Sequence, residues 1–181
     1  MIEKTRKRRG RTVRWLRETI IFAMFGAMMF AIKTVMAPLP NIHPVGIFIM
    51  LLTIVYRTKA LIPIYIYIAL EGLFAPGVWW FPYLYIWAIL WGITMLLPKN
   101  MKPVVAAVVY PVVCGLYGLL FGVLYAPAQA LMFGFTVKQT IAWISMGLYY
   151  DILHAAGNAA MGCLVFPLSR VLLKLEGSAR R

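Results

Sequence analysis

The sequence predicts an all-α integral membrane protein with six transmembrane helices and with its N- and C-termini in the cytoplasm. Hydrophobic residues make up 63% of its 181 residues, and charged residues only 13%. That composition lies far from the norm for soluble domains. At about 20 residues for each crossing, six helices leave little chain for a soluble domain. The predicted domain organisation is a basic cytoplasmic segment (1–15), one membrane domain (16–175) and a short basic cytoplasmic tail (176–181).

Prolines, charges and turn residues delimit the six segments in order. Proline cannot continue a helix, so the first segment ends at the Pro-Leu-Pro-Asn run of 38–41, and the third ends at the Ala-Pro-Gly run of 75–77. Basic residues at 57 and 59 follow the second segment, and Pro98-Lys99-Asn100 follows the fourth. The predicted crossings are Leu16 to Met36, Ile42 to Tyr56, Ala60 to Phe74, Phe81 to Leu97, Pro103 to Tyr125, and a sixth within Ile141 to Leu173.

The distribution of positive charge indicates the orientation. With a cytoplasmic N-terminus, 16 of the 18 Lys and Arg residues fall on the inner side, and only Lys138 lies in an outer loop. Lys33 lies within the first helix, near its outer end. This bias matches the positive-inside rule for membrane proteins. We therefore interpret the net charge of +13 as topology and attraction to anionic lipid, not as nucleic-acid binding.

The first helix carries a strip of small residues. Ala23, Ala27 and Ala31 lie four residues apart within the run FAMFGAMMFA, so they share nearly one face of the helix. Small residues let another helix approach closely within a membrane. The strip predicts a face that docks against a partner.

Aromatic and polar residues collect in the predicted outer half. Trp79 and Trp80 lie beside a Pro-Gly turn, which is dense even for an interfacial aromatic belt. Stacking on a flat heterocycle would use the same residue types. Further residues of this group are Asn41, His43, Tyr83, Tyr85, Trp87, Tyr125, Gln129, Trp143, Tyr149 and Tyr150.

Three charged residues fall within predicted helices. Lys33, Glu71 and Asp151 each cost at least about 2.5–3.5 kcal/mol at the bilayer centre, so each is expected to face the bundle interior and to be paired. Counting along the helices places all three in the outer half, where Lys33 would neutralise Glu71 or Asp151. These charges are interpreted either as a structural ion pair or as the polar base of a ligand-binding site.

On the sixth helix, Asp151, His154 and Asn158 follow at i, i+3 and i+7 and share one face. Asp151 and His154 are expected to lie close enough to contact one ligand, whereas Asn158 is interpreted as a helix-packing amide. No further metal ligands can be placed near them, and we predict no metal site. Cys114 and Cys163 are interpreted as small apolar packing residues.

The sequence does not favour an enzyme. It contains no H-E-x-x-H, G-x-S-x-G or P-loop motif, and no nucleophile has a recognisable partner. We therefore predict no catalytic residue and no cofactor. ATP hydrolysis would have to reside in partner subunits.

Together these segments resemble the substrate-binding S components of energy-coupling factor (ECF) transporters. The resemblance rests on the alanine motif, on PLPNIHPVGIFIMLLT, on EGLFAPGVWWFPYLYIW and on GLYYDILHAAGN, and it covers nearly the whole chain. It implies a subunit that captures a vitamin or related micronutrient outside the cell. The subunit then docks on a membrane coupling subunit driven by two cytoplasmic ATPases, and it topples in the bilayer to release its cargo.

Carried onto this chain, the resemblance makes Ala23, Ala27 and Ala31 the docking face and the region of Asn41 and His43 a mobile gate. Together with the residues singled out above, the candidate substrate-binding residues are Asn41, His43, Glu71, Trp79, Trp80, Tyr83, Trp143, Tyr150, Asp151 and His154.

The ligand class and two rival functions stay open at this point. A cobalamin-type corrinoid is favoured slightly, and a modified nucleobase or a smaller vitamin also suits an aromatic, mostly uncharged site. One rival is a membrane scaffold similar to the rod-shape-determining proteins, which needs no small ligand. The other is a small intramembrane enzyme that uses Asp151 and His154.

Overall fold

A computed structural model describes residues 2–39, 41–75 and 77–178, and within these ranges it contains helices and turns but no strand. A four-residue 3-10 turn, Arg57–Ala60, separates the second helix from the third. The α-helices are α1 (Ile2–Val35), α2 (Val45–Tyr56), α3 (Leu61–Phe74), α4 (Tyr83–Leu96), α5 (Pro103–Leu119), α6 (Phe121–Phe133), α7 (Val137–Gly162) and α8 (Val165–Ser178).

The helices have the length and composition of a membrane protein. In the described ranges, three helical stretches are long and apolar enough to cross a bilayer: Trp15–Val35, Val45–Phe74 and Pro103–Phe133. The pair α7 and α8, bent by 47°, makes a fourth if it counts as one span. Large apolar side chains such as Leu96 and Leu131 are 86% exposed, which suits a lipid environment. The all-helical class is thus confirmed and the apolar helices are compatible with a membrane protein, whereas six separate crossings and the orientation of the termini stay predictions.

α2 runs antiparallel to α1. The ring of Phe22 meets that of Tyr56 edge-on at 5.0 Å between centroids. Phe25, one turn further along α1, lies 6.5 Å from Phe48, which is two turns earlier on α2. As α1 advances, its contacts on α2 therefore move backwards along the chain.

α3 runs parallel to α1, so the chain reverses between α2 and α3. Lys59, just before α3, bonds to Glu18 of α1 at 2.5 Å, and Lys33 near the end of α1 bonds to Glu71 near the end of α3 at 2.5 Å. The reversal takes place at Arg57, whose φ of 54° is unusual for a residue with a side chain. A hairpin of two short helices thus lies within the stretch 45–74.

The region predicted as the third outer loop is largely helical. We predicted that the fifth crossing ends at Tyr125, but after a one-residue break at Leu120 the chain continues as α6 to Phe133. α6 ends at Gly134, whose φ of 67° is a left-handed conformation that glycine adopts at little cost. α7 begins at once with a capping box between Thr136 and Gln139.

α5 and α7 pack closely and antiparallel. Their backbones approach at Gly118, where a Cβ atom would lie 2.8 Å from the carbonyl oxygen of His154 and 2.9 Å from the backbone of Ala155. This glycine lets α7 lie directly against α5. Their close packing fixes the height of Asp151 and His154 relative to the junction of α5 and α6.

Candidate ligand cavity

A cavity of about 360 Å³ opens beside the break between α5 and α6. Its walls come from the connection after α1, from the 77–82 turn, from the first turn of α4, from α6 and from residues 143–151 of α7. We call it the aromatic cavity. The residues that line it are Asn41, Trp79, Tyr83, Phe121, Gly122, Tyr125, Trp143, Ile144, Gly147, Tyr150 and Asp151.

Its walls are built from rings that contact one another. Tyr125 and Trp143 are nearly parallel, with an interplanar angle of 19° and centroids 5.9 Å apart. Tyr83 meets Tyr125 edge-on at 6.4 Å. The Tyr125 hydroxyl donates a hydrogen bond to the Trp79 carbonyl oxygen at 2.6 Å. That bond fixes the 77–82 turn against α6, so the opening of the cavity has a defined shape.

Asp151 is the charged side chain of this wall, and it lies where α6 begins. It is 5% exposed, and its Oδ1 accepts a hydrogen bond from the Gly122 N–H at 3.0 Å. The first N–H groups of a helix lack partners within the helix and favour a negative charge. A Cβ atom on Gly122 would collide with Oδ2 of Asp151. The glycine therefore lets α6 approach the carboxylate.

Two histidines, His154 buried and His43 half-buried, form a layer next to this wall. His154 is 1% exposed, its ring meets that of Phe121 at 4.8 Å, and the His43 ring lies 5.2 Å away. Among the described residues, neither ring nitrogen of His154 has a hydrogen-bond partner, and the same holds for Nδ1 of His43. Leaving a buried polar group unpaired costs about 1–3 kcal/mol. A polar ligand atom or a water molecule that reached this layer would therefore be stabilised.

The charge state of His43 follows from its surroundings. It lies in the connection between α1 and α2, and burial lowers its pKa to about 3, with nearby His154 and Lys33 adding to the effect. His43 is therefore neutral at physiological pH and offers one hydrogen-bond donor and one acceptor.

Asn158 lies deeper on the same face of α7 and contacts α2. It is 2% exposed, and its Oδ1 lies 3.2 Å from the position that a Cβ atom would take on Gly46. This placement agrees with its interpretation as a packing amide between two helices.

Glu71 lies outside the aromatic cavity. Its carboxylate bonds to Lys33 at 2.5 Å, and the two side chains are 4% and 24% exposed. Of the two partners predicted for Lys33, Glu71 and Asp151, the structure shows Glu71. Lys33 also lies 5.0 Å from the centroid of Tyr83, an attractive cation–π geometry. The pair borders a separate cleft of about 270 Å³ between α1 and α3.

Trp80 lies outside the cavity as well. Its ring stacks on Phe81 at 4.5 Å and packs over Gly72 of α3, 3.0 Å from the position of a Cβ atom there. Its neighbour Trp79 faces the cavity instead. Of the ten predicted binding residues, the structure brings six together around the cavity: Asn41, Trp79, Tyr83, Trp143, Tyr150 and Asp151.

Sequence reasoning did not select five of the lining residues as binding residues. Phe121, Gly122 and Tyr125 lie in the first turn or so of α6, and Ile144 and Gly147 lie on α7. On α7 the sequence does contain a signal: residues 143, 147, 150, 151 and 154 follow a helical spacing, which indicates one face of the helix.

The alanine face, Ala23, Ala27 and Ala31, points outward, and all three residues are exposed. Beside it lies a groove of about 530 Å³, the α8 groove, whose walls include Ala27, Met28 and Leu172. Glu176 also lines the α8 groove, and it accepts hydrogen bonds from Arg17 at 3.2 Å and from the Tyr56 hydroxyl at 3.0 Å.

No group of three His, Cys, Asp or Glu side chains with the geometry of a metal site occurs in the described ranges. Comparison with known proteins gives no significant match to any family model, curated protein or solved structure.

Proposed function

We propose that this protein is the substrate-capture subunit of an ATP-driven importer of the ECF type, which takes up a vitamin or similar micronutrient through the bacterial plasma membrane. In this proposal the aromatic cavity holds the ligand. The alanine face docks on a membrane coupling subunit, and two cytoplasmic ATPases supply the energy.

One observation carries the proposal: a ring-lined cavity and an outward face of small residues occur in the same small helical body. The cavity is lined by Trp79, Tyr125 and Trp143, whereas Ala23 and Ala27 are exposed to the surroundings. A ligand site suits capture, and a smooth helix face in lipid suits association with another membrane helix. Neither feature requires chemistry in this chain.

Six crossings with both termini inside belong to this proposal. The reversal at Arg57 supports them, because it divides the 30-residue apolar stretch Val45–Phe74 into two antiparallel helices. The short helix α4 would be a further crossing, continued by its flanking turns. This topology puts the basic residues at 57, 59, 99 and 102 on the same side as the termini, in line with the positive-inside rule.

The volume of the cavity limits the size of the ligand. A volume of about 360 Å³ is near the lower end for pockets that hold drug-sized compounds. It suits a flat compound of one or two fused rings better than the cobalamin-type corrinoid that the composition favoured.

The scaffold alternative accounts for the helical body but gives no role to the cavity. The enzyme alternative needs Asp151 and His154 to act together. In the described part of the chain, however, the carboxylate bonds to Gly122, and His154 has no hydrogen-bond partner. Both observations favour capture over these alternatives.

Mass spectrometry of small molecules released from the detergent-purified full chain tests the proposal directly. We expect one vitamin-like compound at near-equimolar amount in the wild type, and a lower amount in a Trp143→Leu preparation made in parallel. Val108→Trp serves as the matched control, because Val108 is 60% exposed on α5, away from the cavity lining. A wild-type preparation that never retains or binds any small molecule would contradict the proposal.

A further inference from the structure

We infer that the aromatic cavity selects a flat ligand that carries a positive charge, and that Asp151 recognises this charge. The inference rests on the proposed function and names the substrate class of the same site. It is carried by the charge inventory of the cavity and by the arrangement of rings around its carboxylate.

The cavity contains a negative group without a positive counterpart. Among the described residues that line it, Asp151 is the one carboxylate, and no lysine or arginine contributes to the walls. Lys33, which lies over the Tyr83 ring at 5.0 Å from its centroid, is not part of the cavity lining and is already paired with Glu71 at 2.5 Å. The site is therefore acidic as a whole.

The hydrogen bond from Gly122 satisfies only part of the Asp151 carboxylate. A carboxylate has about four acceptor positions on its two oxygens, and the structure gives Oδ1 one N–H donor at 3.0 Å. A buried charge is stabilised chiefly by an opposite charge with good geometry. A cationic ligand group in the cavity would supply that charge, whereas a ligand carboxylate would add a second negative group.

The rings favour the same ligand. Tyr83, Tyr125 and Trp143 surround the cavity, and their faces carry partial negative charge that attracts cations within about 6 Å. A cavity that combines ring faces with one carboxylate is suited to a protonated amine or a quaternary nitrogen attached to an aromatic ring. Its volume of about 360 Å³ limits the ligand to one or two fused rings with short substituents.

Three probes with the same ring system and different charge test the inference. Tryptamine is a cation at pH 7, tryptophol is neutral, and indole-3-acetate is an anion. Isothermal titration calorimetry with the detergent-solubilised full chain measures all three. We expect tryptamine to bind at least tenfold more tightly than tryptophol, and indole-3-acetate to bind most weakly.

The variant Asp151→Asn identifies the carboxylate as the cause. Asparagine keeps the size and the acceptor for the Gly122 N–H, so measurable tryptophol binding would show that the variant is folded. The preference for tryptamine should fall to less than threefold. If Asp151→Asn loses tryptophol binding too, wild-type titrations at 50 and 500 mM salt still test the charge, because a charge-based preference for tryptamine falls with salt.

Two results would overturn the inference. One is equal or tighter binding of the neutral or anionic probe, and the other is no measurable binding of any probe. Either leaves the proposed function standing if the purified protein still retains a neutral or anionic vitamin that depends on Trp143. Loss of the retained compound in every preparation would instead contradict the proposed function itself.

Discussion

The aromatic cavity and the alanine face are built on opposite principles. In the cavity, rings and hydrogen bonds fix one another, as where Tyr125 donates to the Trp79 carbonyl and Asp151 accepts from Gly122. On the alanine face, Ala23 and Ala27 are exposed, and their methyl side chains neither donate nor accept hydrogen bonds. One region is suited to hold a particular small molecule, and the other to slide against another helix.

This difference means that changes in the two regions should have separable effects. The regions are connected through α1, because Lys33 near its end pairs with Glu71 and lies over the ring of Tyr83, which lines the cavity. Variants in each region, and in the connection between them, therefore test whether capture and docking are independent.

The largest effect is expected for Ala27→Trp on the alanine face. The bulky ring would keep a partner helix at a distance, so uptake of the retained compound into cells should be abolished while the affinity of the purified subunit stays unchanged. Radiolabelled uptake and calorimetry measure the two quantities. Val108→Trp places the same bulk elsewhere and should transport normally. Wild-type uptake by Ala27→Trp would refute the docking role.

The next largest effect is expected for Glu71→Gln in the connection. Removing one partner of a buried ion pair leaves the other charge uncompensated, which costs about 3 kcal/mol or more in the free energy of unfolding. Adding Lys33→Met to this variant should restore most of the lost free energy of unfolding. Unfolding in increasing concentrations of sodium dodecyl sulfate measures the stability of the single and the double variant. A single variant as stable as wild type would show that the pair does not hold α1 to α3.

A smaller effect is expected for Trp143→Leu in the cavity. Losing its stacked position opposite Tyr125 should weaken binding of the retained compound about tenfold, or about 1.4 kcal/mol. Thermal stability should change little, because Trp143 lies at the cavity wall. Unchanged affinity by calorimetry would remove Trp143 from the binding site.

The smallest effect is expected for Trp80→Ala. This ring packs on Phe81 and over Gly72 rather than toward the cavity, so binding should weaken less than threefold, in contrast to Trp79→Ala. A tenfold loss for Trp80→Ala alone would indicate that the 77–82 turn rearranges when ligand binds.

The helical class and the ion pair could be predicted because they follow from strong physical constraints. An apolar stretch in a membrane protein has few alternatives to a helix. A charge such as Lys33 in such a helix needs a partner at the same depth. The shared face of Asp151, His154 and Asn158 followed from helical spacing alone, and all three are buried.

The walls from α6 could not be predicted in the same way. The fifth crossing was predicted to end at Tyr125, but in the structure α6 continues to Phe133 with Pro127 inside it. The capping box between Thr136 and Gln139, which marks the start of α7, is a local signal that does not reveal where the preceding helix packs. Whether Trp79 or Trp80 faces the cavity depends on the turn at Gly77, whose φ is 82°, and neighbouring residues in an irregular turn have no fixed period.

The contact between Lys33 and Glu71 has an electrical consequence. Moving one elementary charge through a membrane potential of 100 mV takes about 2.3 kcal/mol. A body that tilts in the bilayer, as the proposed cycle requires, carries these two residues together. Their charges cancel at a separation of 2.5 Å, so the cell's voltage does almost no net work on them and neither drives nor resists the movement.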